Sequence, residues 1–220
     1  MIKEKTKKIL QALPDQVKLV VAVKDRTPEE IKQTVEAGAK IIGENYLKQA
    51  KLNYNIFGEK ARWHFIGHLQ KNKVRKAVKI FDMIETLDSL KLAKIIDKEC
   101  KRINKIMPVL IEVNSASEPQ KFGIVPEEVI NFRKELSQFS HLKACGLMTM
   151  GPFVQDSEKV RPYFRQTKEI FDQIRNKYQD SYWRYLSMGM SSSYKIAIEE
   201  GANIVRIGTA IFGPRNYERN

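Results

Sequence analysis

The chain has 220 residues, 42% hydrophobic and 30% charged, a balance that excludes a disordered chain and suits one α/β domain with a substantial core. Its net charge of +13 fits an anionic partner, whether nucleic acid, a membrane surface or a phosphorylated small molecule. The two cysteines, Cys100 and Cys145, form neither a disulfide framework nor a metal-type spacing. The opening MIKEKTKKIL lacks the apolar core of a signal peptide, and no apolar run approaches membrane-spanning length. A cytoplasmic protein without membrane contact is expected.

In chain order, short apolar runs predict strands at Val17–Val23, Lys40–Gly43, Trp63–Ile66, Met83–Thr86, Met107–Val113, Lys143–Met148, Trp183–Leu186 and Ile204–Ile207. Amphipathic stretches separate them. In QKNKVRKAVKIF, Val74, Ala77, Val78 and Phe81 recur at helical spacing, which puts Lys71, Lys73, Arg75, Lys76 and Lys79 mostly on the outer face. A solvated helix face explains that cluster better than a nucleic-acid footprint. The longest helical pattern, DSEKVRPYFRQTKEIFDQIRNKY, aligns Val160, Tyr163, Phe164, Thr167, Phe171 and Ile174, with Asp156 as N-cap and Pro162 in the first turns.

Strict alternation of strand and helix, with no linker or shift in composition, predicts a single α/β domain over residues 1–220. Continuous apolar strands are those of a parallel sheet covered by helices. A (β/α)8 TIM-type barrel fits the eight units. An open doubly wound sheet is the competing architecture, weakened by the absence of G-x-G-x-x-G after the first strand.

Barrel chemistry gathers at the C-terminal strand ends. Here these ends carry Lys24, Glu44-Asn45, Gly67-His68, Thr86, Asn114, Met148-Thr149, Ser187-Met188-Gly189-Met190 and Gly208-Thr209. The last two are the most telling. YLSMGMSSSYKIAIEEGA and IVRIGTAIFGP each run from a strand through glycine and hydroxyl residues towards a helix, a combination suited to phosphate. Helix capping by Ser191–Ser193 is the plainer alternative. Lys24 ends a strand of small and β-branched residues. At an apolar barrel mouth the charged form of a lysine is disfavoured, which frees its amine as a nucleophile for Schiff-base formation. A phosphate cradle and a reactive lysine together suggest pyridoxal 5′-phosphate. Arg206 shares a strand face with Gly208 and could reach the pyridine nitrogen; it could equally pair with an acid such as Glu44 or Glu112.

With these residues the chain resembles the pyridoxal-phosphate homeostasis protein family, which is itself similar to the barrel domain of bacterial alanine racemase. The resemblance runs through LVVAVKDRTPEEI, AGAKIIGENYLKQA, WHFIGHLQKNKVR, VLIEVNSASEPQKFGI, GLMTMGPF, LSMGMSSSYKIAIEEGA and VRIGTAIFG. It implies that Lys24 carries the cofactor and that Asn45 and His68 lie close to its ring. It implies that Ser187, Gly189, Ser192, Gly208 and Thr209 surround the phosphate and that Arg206 faces the pyridine nitrogen. Val23, Asp25 and the Ser191–Ser193 run depart from the family's usual residues.

An arginine at the ring nitrogen stays charged and is a poor acid, so it blunts the electron sink that transaminases use. Racemisation tolerates this but needs a second acid or base, which by the resemblance alanine racemase takes from another domain, and no room for such a domain is expected before Asn220. The expectation is a monomeric carrier with no catalytic residues and no metal, which buffers pyridoxal phosphate and delivers it through transient contact with apoenzymes. The alternative is a small racemase-like enzyme using Tyr46, His68 or Tyr194. A nucleic-acid-binding protein using the 71–79 helix stands third.

Overall fold

Parallel strands buried on both faces need helices on the outside and a filled interior, and the chain supplies both. The computed structural model describes residues 1–152, 154 and 156–214. Its strands are β1 (Lys18–Ala22), β2 (Ile41–Glu44), β3 (Arg62–Phe65), β4 (Met83–Leu87), β5 (Met107–Glu112), β6 (Leu142–Met148), β7 (Tyr185–Ser187) and β8 (Ile204–Ile207). They pair in sequence order, all parallel, and β8 returns to β1 with Val20 opposite Arg206. The sheet is a closed (β/α)8 barrel, not an open one.

The helices are α1 (Ile2–Ala12), α2 (Pro28–Glu36), α3 (Leu47–Phe57), α4 (Val74–Ile80), α5 (Leu90–Lys101), α6 (Val129–Glu135), α7 (Arg161–Tyr178), α8 (Tyr194–Glu199) and α9 (Thr209–Phe212). At α2, Thr27 and Glu30 form a capping box and Pro28 opens the helix, so the chain turns sharply after β1. Asp156 accepts from the Glu158 N–H at 3.0 Å, but it caps a 3-10 turn, Ser157–Val160, that leads into α7. Along α4, Val74, Ala77 and Val78 are buried, while Arg75, Lys76 and Lys79 are exposed. Lys71 and Lys73 lie in the exposed 3-10 turn just before it.

Period-two alternation sorts each strand into inward and outward residues. Val20, Ile41 and Ile204 form one small apolar cluster, with Ile66 and Tyr185 against it. Met83, Leu110, Cys145 and Met148 form another. The main core, including Val21, Val23, Ile42 and Trp63, lies between barrel and helices. The interior is a packed plug, so ligands are confined to its mouth.

The seventh strand starts later than the sequence predicts. The Trp183 N–H donates to Asp180 O in a turn, and its indole Nε1 donates to Phe171 O of α7 at 3.0 Å. Its ring also stacks on Phe171, with centroids 5.6 Å apart. Trp183 thus belongs to the helix layer, and Ser187 joins the strand inside the barrel.

Candidate functional site

At the C-terminal mouth a cavity of about 360 Å³ is lined by Ala22, Lys24, Arg26, Met190, Ser191, Ser192, Arg206, Gly208 and Thr209. Of the expected site residues, Lys24, Ser192, Arg206, Gly208 and Thr209 therefore share one space. Asn45, His68, Ser187 and Gly189 are not among its lining residues.

Lys24 is half-buried, with its Nζ 4.9 Å from the centre of the Tyr46 ring. Asp25 follows in the left-handed region at φ +60°, which aspartate tolerates better than most residues, and Arg26 N–H closes the turn on Val23 O at 3.1 Å. Val23 points the other way, into the helix layer, so this departure from the family does not face the cavity. Arg26 donates from Nη2 to Gly213 O at 2.7 Å and sits over the Phe212 ring, tying the first loop to the end of α9.

Opposite Lys24 lie the loops after β7 and β8. Gly208 passes so close to β1 that an added Cβ would meet Ala22 O at 3.0 Å. Ser191 Oγ accepts from Ala210 N–H at 3.1 Å, which joins the two loops. Ser193 Oγ accepts from Met190 N–H at 3.2 Å; although Ser193 is the N-cap of α8, its side chain makes no capping bond. Ser192 and Thr209 are exposed at the cavity wall. The hydroxyl run thus shapes the loops and leaves Ser192 facing the cavity.

Gly189 sets the path of the β7 loop. Its φ is +88°, and an added Cβ would lie 2.6 Å from Ala197 Cβ and 2.8 Å from Tyr194 Cα. Gly189→Ala is expected to cost at least ~1–2 kcal/mol from the left-handed backbone alone. Thermal unfolding should show that loss, and ligand uptake should fall as the loop moves off α8.

Below the cavity Arg206 is buried and fully engaged on one side. Its Nη1 donates to Ser187 O at 3.0 Å and to Ser187 Oγ at 2.6 Å, and its Nη2 donates to Thr149 O at 2.9 Å. The Ser187 hydroxyl in turn donates to Glu85 Oε2 at 2.6 Å. Glu85 Oε1 lies 2.6 Å from His64 Nδ1. Burial would raise the Glu85 pKa, but His64, Arg206 and Ser187 outweigh it and hold the carboxyl below its usual range. The acid nearest Arg206 is therefore Glu85, at 4.0 Å, and Ser187 bridges the two. Sequence reasoning missed both Glu85 and His64.

Glu112 is also inside, its pKa pushed up to about 7 by burial and by Asp88, against the pull of Arg206. Glu44 faces α3 instead. Its Oε1 accepts from Asn53 Nδ2 at 2.8 Å, its Oε2 has no partner among the described residues, and burial pushes its pKa to about 8.

The β1–β2 register pairs Ala22 with Gly43, so Lys24 and Asn45 leave their strands at one level. His68 is farther out: its ring stacks on Phe122 at 3.7 Å, and its Nδ1 lies 3.3 Å from Asp88. Among the described residues no group of three His, Cys, Asp or Glu could hold a metal ion, and no helix is long and apolar enough to cross a membrane.

A closed barrel with a lysine after its first strand and an arginine in its last defines the class. Residues 1–216 match the family described as alanine racemase, N-terminal domain. The chain is 40% identical over 201 residues to the pyridoxal phosphate homeostasis protein of Aquifex aeolicus (strain VF5), covering 91% of this chain and 88% of that one. It belongs to that family of barrels and, within it, to the pyridoxal phosphate homeostasis proteins. PipY of Synechococcus elongatus PCC7942 superposes with a TM-score of 0.91 at 29% identity, covering 97% of this chain and all of PipY. A second PipY structure has pyridoxal phosphate bound. Alanine racemase of Clostridium difficile 630 shares the fold at TM-score 0.78 and 16% identity, and this chain spans 56% of it.

Proposed function

We propose that the chain binds pyridoxal 5′-phosphate in the mouth cavity and serves as an intracellular reservoir that buffers and delivers it. The observation that carries this reading is that Lys24, Arg206 and the Ser192–Gly208–Thr209 wall line one cavity. Its volume suits a small cofactor. The bound cofactor supplies an aldehyde that condenses with a primary amine and releases water. Lys24 is the amine. The Ser192 and Thr209 hydroxyls and the close-approaching Gly208 backbone hold the phosphate. Arg206 would face the ring nitrogen and Asn45 and His68 would have to reach the ring from outside the present cavity lining, while Gly189 shapes the phosphate loop and Ser187 supports Arg206 from below.

A carrier is favoured over a transaminase-type enzyme because a charged arginine would not protonate the ring nitrogen. The relatives' names point the same way, being those of homeostasis proteins. Tyr46, whose ring lies beside Lys24, is the group through which weak racemase chemistry would run. We take the protein to be a cytoplasmic monomer that meets apoenzymes transiently.

The test is to load the purified protein with pyridoxal phosphate, record its visible absorbance, reduce with borohydride and map the modified peptide. The adduct is expected at Lys24, with transfer to an added apoenzyme from unreduced protein and no appreciable racemisation of amino acids. Failure to take up the cofactor sinks the reading. Robust racemisation lost with Tyr46→Phe replaces the carrier with the enzyme.

A further inference from the structure

The barrel interior beneath the cavity holds a continuous polar chain: His64, Glu85, Ser187 and Arg206, on β3, β4, β7 and β8. Glu85 is fully buried, and Arg206 is only 5% exposed. A guanidinium at that depth is costly unless an opposite charge and hydrogen bonds compensate it. Its two terminal nitrogens are fastened to Ser187 and Thr149. What fastens Ser187 is Glu85, which accepts its hydroxyl proton at 2.6 Å and accepts from His64 on its other oxygen.

We infer that Glu85 is a positioning residue: through the Ser187 hydroxyl it supplies the counter-charge and hydrogen bond that hold Arg206 in place and aimed at the cavity. Glu85 does not line the cavity, so it acts only through Arg206. Ser187 has two acceptors and one donor to use, and both its short bonds lie in this chain: it accepts from Arg206 and donates to Glu85. The direction is fixed, because a guanidinium has no acceptor and an ionised carboxylate has no donor. Burial depresses the Arg206 pKa, and Glu85, then Glu112, oppose that.

The inference rests on the proposed cofactor and is tested with two ligands: pyridoxal phosphate and the analogue in which a carbon replaces the ring nitrogen. The readout is equilibrium affinity of the apo-protein for each. Wild-type protein is expected to prefer pyridoxal phosphate by roughly tenfold, since a hydrogen bond from Arg206 to the nitrogen is lost in the analogue. Glu85→Gln should bring the ratio close to one, mostly by weakening pyridoxal phosphate, while the analogue's affinity stays within about twofold. A scaffold role would weaken both ligands alike.

If Glu85→Gln does not melt cooperatively, Ser187→Ala carries the test, because it removes only the bridging hydroxyl. A fall in the ratio supports the bridge. An unchanged ratio, equal losses for both ligands, or no preference in the wild type overturns the inference. Wild-type protein that binds neither ligand overturns the cofactor reading itself.

Discussion

Lys24→Ala is expected to abolish the visible absorbance of protein loaded with pyridoxal phosphate and to cost roughly a hundredfold in affinity, about 2.7 kcal/mol. The remaining walls, Ser192, Gly208, Thr209 and Arg206, would still offer hydroxyls, backbone and one cation, so weak binding should survive. Lys24→Arg separates charge from nucleophilicity. A guanidinium keeps the cation beside Tyr46, which Lys24 approaches to 4.9 Å, but it does not condense with an aldehyde at neutral pH. Both variants should lose the absorbance, and only Lys24→Arg should keep a salt-sensitive hold on the phosphate. Titration by absorbance and by equilibrium dialysis distinguishes them; a coloured Lys24→Ala protein would move the attachment point elsewhere.

Glu44→Gln should stabilise the protein, and more so as pH rises. Glu44 is fully buried, and its pKa is raised from 4.5 to about 8, chiefly by burial. Between those values the unfolded chain has released the proton that the folded chain still holds. Stability therefore falls with rising pH across that window, by at most roughly 1.4 kcal/mol per unit, and is fully present only below the lower value. Glutamine mimics the protonated carboxyl and can still accept from Asn53 through its amide oxygen. Variant and parent should melt together near pH 5 and separate progressively up to pH 8. Parallel curves over that range would mean that Glu44 ionises with little cost.

Much of the barrel was legible because its strands are buried on both faces and so read as unbroken apolar runs. The site was legible where polar residues end such runs, as Lys24 does at β1 and Gly208-Thr209 do at β8. Less legible was the partner of Arg206. Period-two parity alone removes Glu44, because Ile41 faces the interior and a residue three places on faces out. Finding Glu85 needs more. It is the charged residue of the short β4 segment MIETL, an anomaly that marks it as paired, but its meeting with Ser187 and Arg206 depends on how far the closed sheet is staggered. No local pattern encodes that stagger. The late start of β7 was hidden for a similar reason: Trp183 suits a strand by propensity, yet packing on Phe171 of α7 decides its place.

The cavity straddles the line where the barrel closes, since Lys24 leaves the first strand while Arg206, Gly208 and Thr209 belong to the last strand and its loop. Arg26 crosses the same line to Gly213 O. The two sides of the proposed binding site thus come from the first and the eighth strands of the barrel and the loops that follow them. A nascent chain has no complete cavity until its final strand has been made and has docked. A molecule that grips both edges then behaves as a clasp, and its binding free energy is added to the work of prising the first strand from the last.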